Sequence, residues 1–187
     1  MNASEQAAEA GFSAAPIARR AAALLVDLAL LCAVLAPIQF LRPALSGVER
    51  PDWLSAGLLL ELFVLATLSL PAYLYFALLE SGSRQATFGK RWFRIQVTDF
   101  EHRPIQKLRA LVRAVVKLAP LEIAHASMLL PVPIWQAGPE ASARPGFMYS
   151  TLLAGAWLVT LLLTPKSQGV HDLIAGTLVV EREAVAR

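Results

Sequence analysis

The chain has 187 residues, 56% of them hydrophobic and only 17% charged, with a mean hydropathy of +0.53. Ordinary soluble domains hold roughly 45–50% apolar residues, so a water-soluble globule is a poor fit and the chain is read against a bilayer. The net charge of +3 and pI near 9.4 do not argue for nucleic acid, because the basic residues lie beside hydrophobic runs, where they act as topology signals. A single cysteine, Cys32, excludes an internal disulfide and a cysteine metal cluster.

In chain order, residues 1–15 read as a disordered N-terminus. Four runs follow, at about 18–41, 53–79, 117–136 and 147–165, each long enough to cross ~30 Å of hydrocarbon at ~1.5 Å per residue. Asp27 interrupts the first run, which is also too long for a signal peptide, so it is read as a retained span. The outer loops FLRPALSGVERPD and AGPEASARPG hold Arg42, Arg50 and Arg144. The stretch between spans two and three holds Arg84, Lys90, Arg91, Arg94, Arg103, Lys107, Arg109, Arg113 and Lys117. By the positive-inside rule the latter is cytoplasmic, which places both termini in the cytoplasm and the protein in the cell membrane as a multi-pass protein.

Loop 80–116 has structure of its own. WFRIQVTD alternates Phe93, Ile95 and Val97 with Arg94, Gln96 and Thr98, the period of a half-buried strand, and DFEHRPI reads as a turn. From Ile105 the period becomes helical. Ile105, Leu108, Leu111, Val112, Val115 and Val116 form one face, with Arg109, Arg113 and Lys117 opposite. This pattern suits a helix lying in the membrane interface or an amphipathic helix on the protein's own surface. GTLVVER, after the last span, is too short and β-rich to cross; it needs a partner for its backbone hydrogen bonds and is expected to pair with FRIQV. The expected fold is therefore all-α and membrane-integral. Its membrane domain is 16–183, with four transmembrane helices and a basic cytoplasmic layer that includes an interfacial helix and a two-stranded ladder; 184–187 form a tail.

A charge deep in a span costs roughly 2.5–3.5 kcal/mol on insertion scales and calls for a partner or a function. Asp27 lies seven residues beyond Arg20, on nearly the same helical face and about 10 Å along the axis. The candidate network is Arg20, Asp27, Asp172, Lys90, Glu61, Glu122 and His125, with Glu80 closing span two. Arg20 is expected to pair with Asp172. Asp27 is expected either to meet Lys90 or Arg91 from the loop or to carry a hydrogen-bonded proton. Glu122 and His125, at i and i+3, suit a proton relay, or else repair backbone left open by Pro120 and Pro131.

Gly82 to Lys90 is not a phosphate loop, since six residues separate Gly82 from Gly89 where four are needed and Arg91 replaces the magnesium-binding hydroxyl. Three histidines, His102, His125 and His171, in unrelated places leave too few metal ligands. The reading is of a protein that is not an enzyme and has no cofactor.

Arg20 with Asp27, then Thr87-Phe88-Gly89-Lys90-Arg91, then Val170-His171-Asp172-Leu173-Ile174-Ala175-Gly176-Thr177 resemble the RDD family of small membrane proteins, over about residues 16–181. The family name records one arginine and two aspartates, which correspond here to Arg20, Asp27 and Asp172. Where the family commonly shows a glycine after the loop strand, this chain has Phe100-Glu101-His102. The resemblance implies the fold more than an activity, although cation/proton exchange has been suggested for some members. Two functions follow as expectations. One is movement of small ions or solutes along the buried charges, with a homo-oligomer supplying room for the path. The other is a scaffold whose charges are structural and whose basic loop binds anionic lipid headgroups or a cytoplasmic partner.

Overall fold

The computed structural model describes residues 13–45, 57–138 and 144–182. Helix α1 is Ile17–Leu45, α2 is Gly57–Val64, and a π-helical turn, Leu65–Ser69, leads into α3, Leu70–Glu80. Helix α4 is Phe88–Trp92, β1 is Ile95–Asp99, α5 is Lys107–Leu129, α6 is Pro145–Leu163, α7 is Val170–Ala175 and β2 is Thr177–Glu181. Three stretches are long and apolar enough to cross a membrane, Ile17–Gln39, Gly57–Glu80 and Pro145–Leu163.

The π turn has a cause in the sequence. Pro71 has no N–H to give and its ring crowds the carbonyl four residues back, so an α-helical register cannot run through it undisturbed. The turn before it widens, and the Leu70 N–H reaches back to the Leu65 carbonyl. The helix continues, so α2, the turn and α3 act as one rod.

That rod runs antiparallel to α5. From one end to the other, Glu80 faces Arg113, Phe76 packs with Ala114 and Leu118, Tyr73 and Ser69 meet Glu122, and Gly57 lies against Leu129. Helix α1 flanks the rod, with Leu24 and Leu31 in the Phe76 cluster and Gln39 Nε2 donating to Thr67 Oγ1 at 2.8 Å. On the other side of α5, the Ser150 hydroxyl of α6 donates to the Pro120 carbonyl at 2.7 Å. Pro120 has no N–H to donate inside α5, and its carbonyl accepts this hydroxyl from α6.

The strands pair antiparallel, from Ile95 opposite Glu181 to Asp99 opposite Thr177, as expected for FRIQV and GTLVVER. Strand β1 begins at Ile95 rather than Trp92, because residues up to Trp92 belong to α4. The ladder caps one end of the bundle, here the charged end, through a core of Ala15, Ala23, Ala77, Ile95, Val97, Ile105, Ala110 and Val179. Residues 1–12 and 183–187 lie outside the described residues. Ser13 to Ala15 do not fit a disordered N-terminus: Ala14 bridges to Val180, and the Ala15 N–H donates to the Val179 carbonyl. In the turn after β1, His102 takes the left-handed conformation (φ 60°), while Asp99 Oδ1 accepts the Glu101 and Arg103 N–H groups at 2.9 and 2.8 Å. The turn without glycine is thus held by an aspartate.

Two expectations need correction. The interfacial helix and the span at 117–136 are a single helix, Lys107–Leu129, and the chain has left helical geometry by Leu130. The amphipathic reading also fails at its centre: Arg113, Ala110, Ala114 and Leu118 are buried while Leu108, Leu111, Val112 and Val115 are exposed, although Arg109 stays exposed and Ile105 is buried. The same inversion recurs throughout, since Leu25, Leu62, Leu74, Leu152 and Leu163 face outward and Asp27, Glu80, Arg113 and Asp172 are enclosed. Helices that put charge inside and leucine outside suit a hydrocarbon solvent, not water.

At the far end, α5 terminates on a guanidinium. Arg144, just ahead of α6, donates to the carbonyls of Ser127 at 2.7 Å, Leu130 at 2.8 Å and Val132 at 2.7 Å. The Ser127 carbonyl is one a helix end leaves open, those of Leu130 and Val132 follow it in the departing chain, and the positive charge complements the helix dipole. We expect Arg144→Met to cost about 2 kcal/mol, the scale of hydrogen bonds to a charged group, seen as a lower melting temperature in detergent and faster amide exchange confined to the last turn of α5.

Candidate functional site: a closed ion chain and a polar seam

Five side chains from five elements form an alternating chain at the charged end. Lys90 of α4 pairs with Glu80 Oε1, Arg113 of α5 pairs with Glu80 Oε2, Arg113 grips Asp172 of α7, and Asp172 pairs with Arg20 of α1. Arg113 Nε and Nη2 both donate to Asp172 Oδ1, at 2.9 and 2.7 Å, and Nε also lies 3.2 Å from Thr177 Oγ1 at the start of β2. Asp172 Oδ2 accepts from Arg20 and from the Gly169 N–H at 3.2 Å, which caps α7 with its own third residue. A second Arg20 nitrogen donates to the Ser167 carbonyl. Glu80 and Asp172 are 0% exposed and Arg113 1%.

Asp27 belongs to a different arrangement. Its carboxylate accepts from the Tyr75 hydroxyl at 2.6 Å, the Thr87 hydroxyl at 2.6 Å and the Gly89 N–H at 2.7 Å, and it is fully enclosed. Thr87 is also the N-cap of α4, so Asp27 secures the entry of that short helix from outside. Gly89 is required for the approach: a Cβ there would collide with the Ala23 carbonyl and come within 3.0 Å of Asp27 Cγ. Neither Lys90 nor Arg91 meets Asp27. Lys90 goes to Glu80, while Arg91 donates to the Ala86 carbonyl at 2.9 Å and lies over the Phe88 ring.

The remaining expected residues sit further along the α2/α3–α5 interface. Glu122 accepts from Ser69 Oγ at 2.7 Å and Tyr73 Oη at 2.9 Å. Glu61 has Glu122 and His125 as ionisable neighbours, and Glu61 Oε2 and His125 Nδ1 are enclosed without a hydrogen-bond partner. Lys117 bridges the two regions, its ammonium 3.6 Å from the centre of the Phe76 ring. Ser150 and Arg144, not Glu122 and His125, serve the carbonyls around Pro120 and Pro131. Among the described residues no group of side chains suits a metal ion.

The sequence profile of the RDD family matches residues 14–176. The chain belongs to the RDD family. No curated protein and no solved structure matches it. The three residues assigned to the RDD name divide into two tasks: Arg20 and Asp172 pair directly, and Asp27 holds the TFGKR segment in place. Glu80, expected at the close of span two, takes its place in the RDD ion chain; Arg113, which completes that chain, is absent from the expected network, as are Tyr75, Thr87 and Gly89.

Removing one member of a buried pair costs roughly 3–5 kcal/mol because the other charge is left uncompensated. Arg113 has two carboxylate partners, so Arg113→Gln should lose at least that range in denaturant unfolding and greatly reduce folded yield, while Arg19→Gln, at the exposed Arg19–Glu181 pair, should change stability by under about 1 kcal/mol.

The pH dependence has a definite sign. Burial holds the His171 imidazole down to about 3, against the pull of Asp172. Burial alone would raise the Asp172 carboxyl, but Arg113, then His171 and Arg20, hold it below its ordinary range. The unfolded chain therefore takes up a proton at His171 near its ordinary value of about 6.5 that the folded chain refuses until about 3. The contribution of these two residues to stability is complete above about pH 6.5, falls as pH drops through that window, and falls further below about pH 4 as Asp172 protonates in the unfolded chain. Unfolding free energy measured against pH should lose its upper slope, between about 6.5 and 4, in His171→Gln.

Proposed function

We propose that this RDD protein is a four-span protein of the cell membrane, with both termini cytoplasmic, that exchanges a small cation for protons along the seam between α2/α3 and α5. The observation that carries this reading is the line of ionisable and hydroxyl side chains in that interface: Glu61, His125, Glu122, Tyr73 and Ser69, ending at Lys117. Ionisable residues inside a bundle are costly and commonly mark proton or ion pathways. Two of them present enclosed, unpartnered atoms, which leaves capacity for a proton or an ion that a saturated network lacks. A π turn beside the seam adds support, since such turns gather at functional sites. Helix α5 supplies the fourth span: Leu108, Leu111, Val112, Val115 and Leu121 face outward, while Arg113 is enclosed and Glu122 meets Ser69 and Tyr73.

Asp27 and the ion chain take the structural part in this reading, because their oxygens are already filled by donors. That saturation also favours a second reading, a scaffold with no flux, whose basic surface meets lipid or a cytoplasmic partner.

The test is proton flux in liposomes, read with an internal pH dye after adding sodium, potassium or lithium. Wild-type protein should dissipate a proton gradient when one of these is added. Glu122→Gln, whose amide oxygen accepts from one of the Ser69 and Tyr73 hydroxyls while its NH2 group donates to the other, cannot ionise; it should fold normally and lose most of the flux. Asp27→Asn, at equal folded yield, should keep it. If wild-type liposomes behave as empty ones, exchange of these cations is wrong and the scaffold reading stands.

A further inference from the structure

Short helix α4 lies on the bundle side of the ion chain, not beyond it. Its Gly89 backbone abuts α1 between Ala23 and Asp27, which sit three and seven residues past Arg20, about 5 and 10 Å along the axis. On the other flank, the Phe88 ring stacks on Tyr75, five residues or about 8 Å short of Glu80. The chain therefore leaves α3 at Glu80, turns, and comes back along the helices it has just left. Re-entrant backbone is tolerated at such depth only when its polar groups are satisfied by protein. Asp27 and Thr87 provide that for the start of α4.

What α4 shows on its open side is apolar and aromatic. Phe88 is 52% exposed and Trp92 79% exposed, at i and i+4 on one face. Beside them Arg91 lies 5.0 Å over the Phe88 ring, steered by its bond to the Ala86 carbonyl. Residues 81–94 contain Arg84, Arg91 and Arg94 and no acid. No ion pair involves these three arginines among the described residues. Aromatic rings beside unpaired guanidinium groups are the composition of a membrane boundary: the rings sit at headgroup level and the cations meet anionic phosphates.

We infer that α4 is a re-entrant anchor whose Phe88–Trp92 face lies in the acyl–headgroup boundary at the charged end, with Arg91 holding the phosphate of an anionic phospholipid. This rests on the membrane setting of the helices and not on transport. The occupant is lipid rather than a protein partner because α4 is flanked on both sides by the helices proposed to span the bilayer, and because its segment, residues 81–94, carries arginines and no acid.

The experiment uses the full chain in phosphatidylcholine liposomes with and without phosphatidylglycerol. Tryptophan quenching is measured for wild type and Trp92→Phe, and the difference isolates Trp92. That component should be quenched most by lipids labelled at a shallow acyl position and little by aqueous acrylamide. Strong acrylamide quenching with none from labelled lipid would overturn the anchor and point to a soluble partner at this face. For the phosphate contact, lipid retained through detergent purification is compared for wild type, Arg91→Gln and Arg91→Lys. Wild type should retain phosphatidylglycerol over phosphatidylcholine. Arg91→Gln should lower that retention about 5-fold, in line with ~1 kcal/mol per basic residue at an anionic surface. Arg91→Lys, which cannot reproduce the Nε bond to Ala86 but keeps the charge, should retain most of it. Equal retention by wild type and Arg91→Gln would remove Arg91 from the site, whether or not Trp92 is in the boundary.

Discussion

Everything at the charged end depends on Arg113 lying between Glu80 and Asp172. Taking these charges out of water carries a penalty of several kcal/mol per ion, which their mutual attraction offsets only when the geometry is good and the remaining donors and acceptors are filled. Here they are filled: Lys90 takes the other oxygen of Glu80, and Arg20 and the Gly169 N–H take the other oxygen of Asp172. The members come from positions 20, 80, 90, 113 and 172, so no local segment can assemble the chain by itself. It exists only when α1, α3, α4, α5 and α7 are all docked, which makes one guanidinium a condition for the fold of the whole end.

Much of this architecture was legible in the sequence, and the parts that were not share one cause. The apolar runs, the pairing of GTLVVER with FRIQV and the Arg20–Asp172 contact follow from hydropathy, period and placement at a span edge. Arg113 did not, because a basic residue recurring every four positions opposite a stripe of leucine and valine reads as the wet face of an amphipathic helix. In a bilayer the rule inverts, and the large apolar stripe is the outside. A signal was present in Ala110 and Ala114, small residues sharing Arg113's face, where a neighbouring helix needs close approach. The partners of Asp27 were hidden for another reason: a backbone N–H carries no residue identity, and only the fold could bring Gly89 to α1.

Asp27 shows how a carboxylate persists in an apolar run without a cation. Three donors, two hydroxyls and one peptide N–H at the start of α4, fill its oxygens in place of a counter-charge. Its task is to let a stretch of chain re-enter the bundle at a depth where unsatisfied backbone would be prohibitive. The aspartate, the threonine cap and the glycine contact form one device, which gives a physical reason for TFGKR to stand together with an aspartate some sixty residues earlier.

The two polar systems differ in completeness, and α5 belongs to both. In its first half Arg113 is locked by two carboxylates; in its second half Glu122 has only hydroxyl donors and His125 Nδ1 has none. Between them lie Lys117, resting on the Phe76 ring, and Pro120, where the helix gives up an internal hydrogen bond. The saturated end cannot change its charge state without breaking the docking of five elements, whereas the open end can change at small structural cost. Proton or ion chemistry on the proposed reading is therefore confined to the second half of α5, and the rigid ion chain is what would hold that half in register against Ser69 and Tyr73 as its charge changes.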